Sequence, residues 1–337
     1  MLNAVHGGPD ARGAAQHDFS TNSNACGPCP QTLAAVQQAD ATRYPDPAYT
    51  ALRAELAALH FVTPERIVLA ASASEFIHRI TAWAAQQGAC AIALPAHSYG
   101  DYAQAAQARS LQLLRPAEAG WHSAGLHWAC EPSSPLGGAD PALAAWLSAA
   151  PAAFAPVRVL DCAYRPLRLH TGSAFQSFDT AINSSAWQLW TPNKALGLTG
   201  VRAAYAIAPS GAEVDVAALN ALAPSWPVGA HGVAMLCSWT AGSTQRWLAD
   251  CLPVLRDWKA QQQALCQDLG WTVLPASQAN YFCARLPVPL PVSLLALREQ
   301  RGIQLRDCTS FGLPGVVRLG VLPPAAQAAL RRAWRGG

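Results

Sequence analysis

The sequence is poor in charge, and lysine is almost absent from it. Asp, Glu, Lys and Arg together make up 13% of the 337 residues, and the formal net charge is only +3. A charge this small does not provide the basic surface that nucleic acids or anionic membranes require. We therefore expect a small-molecule partner, with no nucleic acid and no membrane. The 23 basic residues include only two lysines, Lys194 and Lys259.

A lysine retained against this bias is a candidate for amine chemistry. A deprotonated amine can form a Schiff base with an aldehyde, whereas a guanidinium stays charged and cannot. Lys194 follows a strand-like segment at residues 186–190, and small residues and glycines come after it. It is therefore expected on a loop at the end of a strand, where a cofactor can approach closely. The alternative, from this stretch alone, is a solvated surface lysine.

Long hydrophobic runs and targeting signals are missing as well. No apolar run reaches the ~18 residues that a membrane-spanning helix needs. Residues 1–8 lack the basic and apolar regions of a signal peptide. The ten cysteines are scattered through mostly apolar surroundings, and without a secretory signal they indicate reduced thiols in a cytoplasmic protein.

One cysteine pair has the spacing of a redox dithiol. Cys26 and Cys29 enclose Gly-Pro, but no strand pattern leads into the motif as thioredoxin-type chemistry requires. There is no second CxxC, which excludes a four-cysteine zinc site, and we expect no metal. The preferred interpretation is a loop before a helix that starts near Pro30, with a redox role as the alternative.

Short apolar segments alternate with amphipathic helical patterns through the first two thirds of the chain. The strand candidates are residues 66–70, 91–95, 126–130, 158–161, 186–190 and 203–208, and helical patterns cover 74–85, 99–109 and 141–149. This alternation predicts an α/β fold with a mainly parallel sheet covered by helices.

The pattern changes from about residue 212. Helical stretches are predicted at 229–241 and 244–269, strands at 271–274, 280–285, 303–307 and 316–321, and a last helix at 324–335. These elements predict a smaller α+β domain. The expected division is an N-terminal arm at 1–30 that joins the small domain, a large α/β domain at 31–220 and a small domain at 221–337.

Polar and small residues follow several of the predicted strands. Asp161 ends one strand with Tyr164 three residues on, Tyr99 lies just past another, and residues 132–138 (PSSPLGG) follow a third. Residues 71–75 (ASASE) form a small-residue loop entering a helix, which suits phosphate binding at a helix N-terminus. In an open α/β sheet such loops converge on one crevice.

In its order of motifs the chain resembles the fold-type I, pyridoxal-phosphate-dependent aminotransferase superfamily. Within it the chain is similar to the branch that holds histidinol-phosphate aminotransferase and the threonine-phosphate decarboxylase of cobalamin biosynthesis. Residues 43–46 (RYPD), the lysine segment 191–202 and Arg318 are shared by both kinds of enzyme. The decarboxylase is favoured by residues 6–8 (HGG), 18–24 (DFSTNSN), 279–281 (ANY) and 302–308 (GIQLRDC).

The resemblance implies a set of residues around pyridoxal 5'-phosphate. Lys194 would bind the cofactor aldehyde, Asp161 would pair with the ring nitrogen, and Tyr164 would hydrogen-bond the phenolate oxygen. Tyr99 would stack on the ring. The phosphate contacts implied are Ala73, Ser74, Asn193, Arg202 and, from the neighbouring subunit of a homodimer, Tyr44.

The same resemblance implies a substrate site and a departure from the family. Arg318 would bind the substrate carboxylate, while His6, Asn22 and Arg306 would surround its far end, as suits a phosphate monoester. Ser134 stands where the family usually has an asparagine that contacts the phenolate oxygen. Because serine is shorter, that contact is lost or mediated by water.

Each role has a structural alternative. Asp161 could cap a strand end, Tyr99 and Tyr44 could be packing residues, Arg306 could be solvated, and His6 lies near a terminus.

The activity implied is decarboxylation of L-threonine O-3-phosphate to (R)-1-aminopropan-2-ol phosphate. The first alternative is an aminotransferase of the histidinol-phosphate type, which would use the same residues. A second is a non-catalytic relative of the fold, against which the joint presence of Lys194, Asp161 and Arg318 argues.

Overall fold

A computed structural model describes residues 6–148, 156–170 and 185–336 of the chain. The α-helices in these residues are α1 (Pro30–Gln37), α2 (Thr50–His60), α3 (Ala73–Gln86), α4 (Gly100–Gln107), α5 (Pro141–Ser148), α6 (Glu213–Ala221), α7 (Ala230–Thr240), α8 (Gly242–Asp268), α9 (Leu294–Arg301) and α10 (Pro324–Arg335).

The strands divide among three sheets. They are β1 (His17–Asp18), β2 (Ile67–Ala70), β3 (Ala91–Ala93), β4 (Gln112–Leu114), β5 (Leu126–Cys130), β6 (Val157–Asp161), β7 (Trp187–Trp190), β8 (Ala204–Ile207), β9 (Thr272–Val273), β10 (Tyr281–Arg285), β11 (Ile303–Gln304), β12 (Arg306–Asp307) and β13 (Val316–Gly320). Short 3₁₀ turns lie at Pro64–Arg66, Trp121–Ser123, Arg165–Leu167 and Thr309–Phe311.

The largest sheet has seven strands in the order β2-β8-β7-β6-β5-β3-β4. Strand β8 runs antiparallel to both neighbours, and the other pairings are parallel. Strands β2, β5, β7 and β8 are buried along their whole length, as expected where helices cover both faces of a sheet. The predicted α/β class with a mainly parallel sheet is therefore confirmed.

The C-terminal part contains a four-stranded antiparallel sheet in the order β12-β13-β10-β9. A separate pair joins the N-terminal strand β1 in parallel to β11, with His17 opposite Ile303. One hydrophobic cluster on the large sheet also contains Met235, Trp239 and Leu248, which lie beyond residue 220. The division into domains at 30 and 220 stays a prediction.

The predicted elements match the observed ones closely in the sheet and less well towards the C-terminus. The segment 303–307 was expected as one strand, but Ile303–Gln304 and Arg306–Asp307 belong to different sheets. Helices α2, α6 and α9 and strands β1 and β4 had not been predicted. The end of the helix expected at 141–149 lies outside the described residues.

Candidate active site

A cavity of about 560 Å³ opens at the carboxyl-terminal edge of the large sheet. Strands β2, β5, β6 and β7 end at this edge, and the antiparallel β8 begins there just after Arg202. Its lining includes most of the residues singled out in the sequence, namely His6, Asn22, Ala73, Ser74, Tyr99, Ser134, Asp161, Tyr164, Asn193, Lys194, Arg202, Arg306 and Arg318.

The N-terminus of α3 forms one end of this cavity. The Ser72 hydroxyl accepts a 3.1 Å hydrogen bond from the Glu75 N–H, and the Glu75 carboxylate accepts one of 3.1 Å from the Ala71 N–H. As the N-cap, Ser72 thus uses its hydroxyl to satisfy the third N–H of the helix. The N–H groups of Ala73 and Ser74 belong to the first turn and have no intrahelical acceptor, so they are suited to an anion.

Asp161 lies at the end of β6 and is 5% exposed. Its Oδ2 accepts a 2.6 Å hydrogen bond from the Tyr102 hydroxyl, and its Oδ1 accepts one of 2.9 Å from the Ala163 N–H. Burial raises the pKa of Asp161, while these two donors and the charge of Lys194 act in the opposite direction. The result is a buried carboxylate at the floor of the cavity, held in a fixed orientation.

Lys194 lies on the loop after β7, as the sequence predicted. Its Nζ is 5.4 Å from the centre of the Tyr164 ring. The N-terminal segment holds the loop in place, because the Asn24 N–H donates to the Lys194 carbonyl at 2.9 Å and the Asn24 side chain donates to the Ala195 carbonyl at 3.0 Å. The backbone of this loop is thus fixed while the amine points at the cavity.

Gly197 explains why small residues follow Lys194. It has a positive φ of 70°, and a Cβ there would lie 2.6 Å from the Gly27 carbonyl oxygen. The loop containing Cys26 and Cys29 packs at this point, with the Cys29 N–H donating to the Leu196 carbonyl at 2.8 Å. The Cys-Gly-Pro-Cys segment is therefore part of the support of the lysine loop.

Asn193 is buried beside the cavity. Its side-chain amide donates to the carbonyls of Thr199 and Val201, both at 3.4 Å, and its oxygen accepts from the Thr191 hydroxyl at 2.6 Å. In this arrangement the side chain stabilises the loop between β7 and β8. The expected contact of Asn193 with a phosphate stays a prediction.

Arg318 and Arg306 lie opposite each other on β13 and β12. Arg318 donates from Nη1 to the Ser134 hydroxyl at 3.2 Å and from Nη2 to the Ser20 carbonyl at 3.1 Å. Arg306 donates from Nη2 to the Ser310 hydroxyl at 2.8 Å. Burial, and after it the charge of Arg318, lowers the pKa of Arg306. Two buried guanidinium groups side by side favour an anionic ligand.

Ser134 hydrogen-bonds another side chain of the cavity. Its hydroxyl accepts from Arg318 and so orients the guanidinium that was expected to bind the carboxylate.

His6 and Asn22 line the cavity together. The His6 Nε2 lies 3.9 Å from Oδ1 of Asp101, and its ring centre is 5.9 Å from that of Tyr99. Asn22 donates from Nδ2 to the Tyr164 hydroxyl at 3.4 Å.

Tyr44 is the one predicted site residue outside the cavity. Its side chain is 78% exposed and stacks on Trp226 with ring centres 4.4 Å apart.

The described residues fit pyridoxal 5'-phosphate by their chemistry. The Asp161 carboxyl group and the Lys194 amine belong to residues that line the same cavity, and the first-turn N–H groups of α3 stand at one end. The Oδ1 atom of Asn22 and the Nε atom of Arg318 are buried without a hydrogen-bond partner in the described part of the chain. Such atoms are satisfied when a polar ligand fills the space.

Several residues of the site were missed in the sequence. Tyr102 lies on α4, three residues after Tyr99, which is the N-cap of that helix. Helical spacing could therefore have placed the two tyrosines on one face. Ser20 lies within the polar segment 18–24, but its contacts to Gly8 and Arg318 depend on the tertiary fold.

Comparison with known proteins shows the family of the chain. The sequence matches the family described as aminotransferase class I and II over residues 14–124 and 128–335, and the chain belongs to that family. Histidinol-phosphate aminotransferase 2 of Caulobacter vibrioides is 28% identical over 333 residues, covering 93% of this chain and 84% of the relative. Histidinol-phosphate aminotransferase 2 of Carboxydothermus hydrogenoformans is 26% identical over 336 residues, covering 92% of this chain and 88% of the relative.

Solved structures share the fold over nearly the whole chain. Histidinol-phosphate aminotransferase from Sinorhizobium meliloti in complex with pyridoxal-5'-phosphate superposes with a TM-score of 0.78 at 20% identity, covering 94% of this chain and 90% of that one. L-threonine-O-3-phosphate decarboxylase from Porphyromonas gingivalis gives 0.77 at 20% identity, covering 94% and 98%. The cofactor is pyridoxal 5'-phosphate, as the sequence had implied.

The described residues also bear on membrane spans and metal sites. Within them no helix is both long and apolar enough to cross a membrane. The same residues contain no group of three or more His, Cys, Asp or Glu side chains that could hold a metal ion.

Proposed function

We propose that the protein decarboxylates L-threonine O-3-phosphate to (R)-1-aminopropan-2-ol phosphate. The observation that carries the proposal is the pair Arg306 and Arg318, which face the same cavity as Lys194 and Asp161. The substrate has two anionic groups, a carboxylate and a phosphate, and the pair offers one guanidinium to each. The motifs at residues 6–8, 18–24 and 302–308 favour the same substrate.

The bound cofactor supplies an electron-accepting ring that stabilises the negative charge left at the substrate Cα. Asp161 would pair with the ring nitrogen, and burial in a low-dielectric surrounding would strengthen that interaction. Lys194 would hold the cofactor aldehyde through its amine and, once released by the substrate amine, would return a proton to Cα. Tyr164 would hydrogen-bond the phenolate oxygen of the ring, and Tyr99 would stack on the ring.

Arg318 fixes the reaction geometry. Its Ser134 and Ser20 contacts hold the guanidinium at a set angle, so that a bidentate carboxylate is also held at a set angle. The bond that breaks is the one perpendicular to the ring, because only its electrons overlap the π system. In a decarboxylase that bond joins Cα to the carboxylate carbon. At the far end Arg306, Asn22 and His6 bind the phosphate.

The proposal includes a homodimer. Tyr44 is exposed and rests on Trp226 at the surface of a single chain, where it is available to a second copy. In the dimer Tyr44 would contact the cofactor phosphate of the neighbouring subunit.

A second candidate is transamination of the histidinol-phosphate type, favoured by the names of the sequence relatives. It would use the same lysine, acid and arginines.

One experiment separates the two candidates. The protein loaded with pyridoxal 5'-phosphate is incubated with threonine phosphate, and with histidinol phosphate, each with and without 2-oxoglutarate. We expect CO₂ from threonine phosphate without any keto acid. Glutamate formation that depends on histidinol phosphate and 2-oxoglutarate, with no CO₂ from threonine phosphate, would replace the proposal by the second candidate.

A further inference from the structure

Ser20 connects two parts of the cavity that lie far apart in the sequence. It is completely buried, just after β1. Its hydroxyl oxygen accepts a buried 2.8 Å hydrogen bond from the N–H of Gly8, and its carbonyl oxygen accepts one of 3.1 Å from Nη2 of Arg318. One residue therefore touches both the segment that carries His6 and the arginine proposed to bind the substrate carboxylate.

Asp18 fixes the orientation of the Ser20 hydroxyl. The hydroxyl donates its single proton to Oδ1 of Asp18 at 2.5 Å, and the Ser20 N–H donates to the same oxygen at 2.8 Å. The second carboxylate oxygen accepts from the Thr21 hydroxyl at 2.6 Å. Because its proton is already committed, the Ser20 oxygen presents a lone pair to the Gly8 N–H.

The segment before β1 has little freedom at this point. A Cβ on Gly7 would lie 2.2 Å from the Ser20 carbonyl oxygen, and Gly8 has a φ of +99°. The Gly8 carbonyl accepts from the Gln304 side chain at 2.7 Å. The backbone is therefore held on both sides of Gly8, which places His6 next to Asp101 at the cavity.

We propose that Ser20 is a positioning residue that sets the preference for a phosphorylated substrate, by holding His6 at the far end of the site through the Gly8 N–H. This inference rests on the proposed function, since it takes the group at the far end of the substrate to be a phosphate. The Ser20 carbonyl oxygen accepts from Arg318, the residue proposed to bind the substrate carboxylate, and this contact does not involve the Ser20 side chain. Removal of the hydroxyl alone should therefore release His6 and leave Arg318 in place.

The test is Ser20→Ala in the holoenzyme, with threonine phosphate and unphosphorylated threonine compared. For threonine phosphate kcat/KM should fall by about tenfold, mostly through KM, because one hydrogen bond and the placement of a histidine are lost. For threonine the fall should stay within about twofold. An equal fall for both substrates would mean that the hydroxyl only maintains the fold or Arg318, and would overturn the inference.

A double-mutant cycle shows whether the effect passes through His6. In a His6→Ala background, Ser20→Ala should cause no further loss of phosphate preference. A second, independent tenfold loss in that background would contradict the inference. Ser293→Ala is a matched control, because the Ser293 hydroxyl also accepts from a backbone N–H, that of Ala296 at 3.1 Å, but at the start of α9. It should leave the preference unchanged.

Hydrogen exchange makes the contact testable without turnover. The Gly8 amide is buried and bonded to Ser20, so it should exchange slowly in the wild type and faster in Ser20→Ala. An unchanged rate would show that the hydroxyl does not hold this segment. If the wild type acts on histidinol phosphate instead of threonine phosphate, the proposed function fails. The role of Ser20 can then still be tested, by comparing kcat/KM for histidinol phosphate and for histidinol in the wild type and in Ser20→Ala.

Discussion

The hydroxyl of Tyr102 donates a 2.6 Å hydrogen bond to Oδ2 of Asp161, and both side chains are buried. Tyr102 is itself stacked on Trp128, with ring centres 4.3 Å apart and planes within 10°. Burial raises the pKa of Asp161, and the Tyr102 donor works against this by stabilising the carboxylate. Tyr102 thus supports, from inside the core, the acid that we propose pairs with the cofactor nitrogen.

Asp161→Asn should keep the shape of this site but remove the charge. We expect the rate to fall by several orders of magnitude while pyridoxal 5'-phosphate still binds, measured by steady-state kinetics and by visible absorbance. Tyr102→Phe retains the stacking and should give a smaller fall, since a charge-assisted hydrogen bond is worth about 1.5–3 kcal/mol. A near-normal rate for Asp161→Asn would make Asp161 an ordinary strand-end cap.

Lys194→Ala should abolish turnover and leave the fold intact, because Lys194 lies on a loop whose backbone is held by Asn24. Lys194→Arg should be equally inactive, since a guanidinium cannot form a Schiff base. Borohydride reduction of the holoenzyme and peptide mapping should place the cofactor on Lys194. Lys259 provides the internal comparison, and cofactor found there would refute the assignment.

The two arginines should differ in their effect on substrate choice. Arg306→Ala should lower kcat/KM for threonine phosphate by about ten- to a hundredfold and affect unphosphorylated threonine much less. Arg318→Ala should damage both substrates alike, because both carry the carboxylate. If Arg306→Ala reduces the two equally, Arg306 does not bind the phosphate and transamination becomes the better proposal.

Replacement of Cys26 and Cys29 by serine should leave activity within about a few-fold. Burial raises the pKa of Cys26 to about 12, so Cys26 is not a ready thiolate, and the Cys29 side chain is fully buried. Serine at the buried position should lower the melting temperature instead. Activity of the wild type that follows the oxidation state of this pair would show a redox role.

Lys259 should make stability depend on pH in the alkaline range. Its ammonium donates to the Ser277 carbonyl at 2.7 Å, the Ser277 hydroxyl at 3.1 Å and the Ala279 carbonyl at 2.8 Å. Burial lowers the pKa of Lys259 from 10.5 to about 8. Between these two values the unfolded state binds more protons than the folded state, so the free energy of unfolding should rise with pH.

The matched variant for this prediction is Lys259→Met, which has no titrating group. Denaturant unfolding should be measured at several pH values between about 8 and 10.5. Across this range the free energy of unfolding of the wild type should rise relative to that of the variant, by ~3 kcal/mol if the titration is complete. If the free energy of unfolding changes with pH in the same way for the wild type and the variant, Lys259 titrates near its ordinary pKa in the folded protein.

Much of the large sheet and its site could be predicted because the signals are local. A buried strand is a short apolar run, and the residue after it must lie at the edge of the sheet. That logic placed Asp161 and Lys194 correctly at the ends of β6 and β7. The first-turn position of Ala73 and Ser74, where we propose that the phosphate binds, is local in the same way, since an N-cap serine with a glutamate three residues later marks the start of α3.

Tertiary structure decided what depends on partners distant in the chain. Residues 303–307 look like one strand, yet Ile303 pairs with His17 while Arg306 pairs with Arg318, and only the arrangement of the sheets separates them. Ser134 meets Arg318 across 184 residues, and Ser20 meets it across 298. No local pattern carries such contacts, because packing brings these groups together and their hydrogen bonds form only in the folded chain. The sequence alone determined which chemical groups are present at the strand ends, and the fold determined which of them touch.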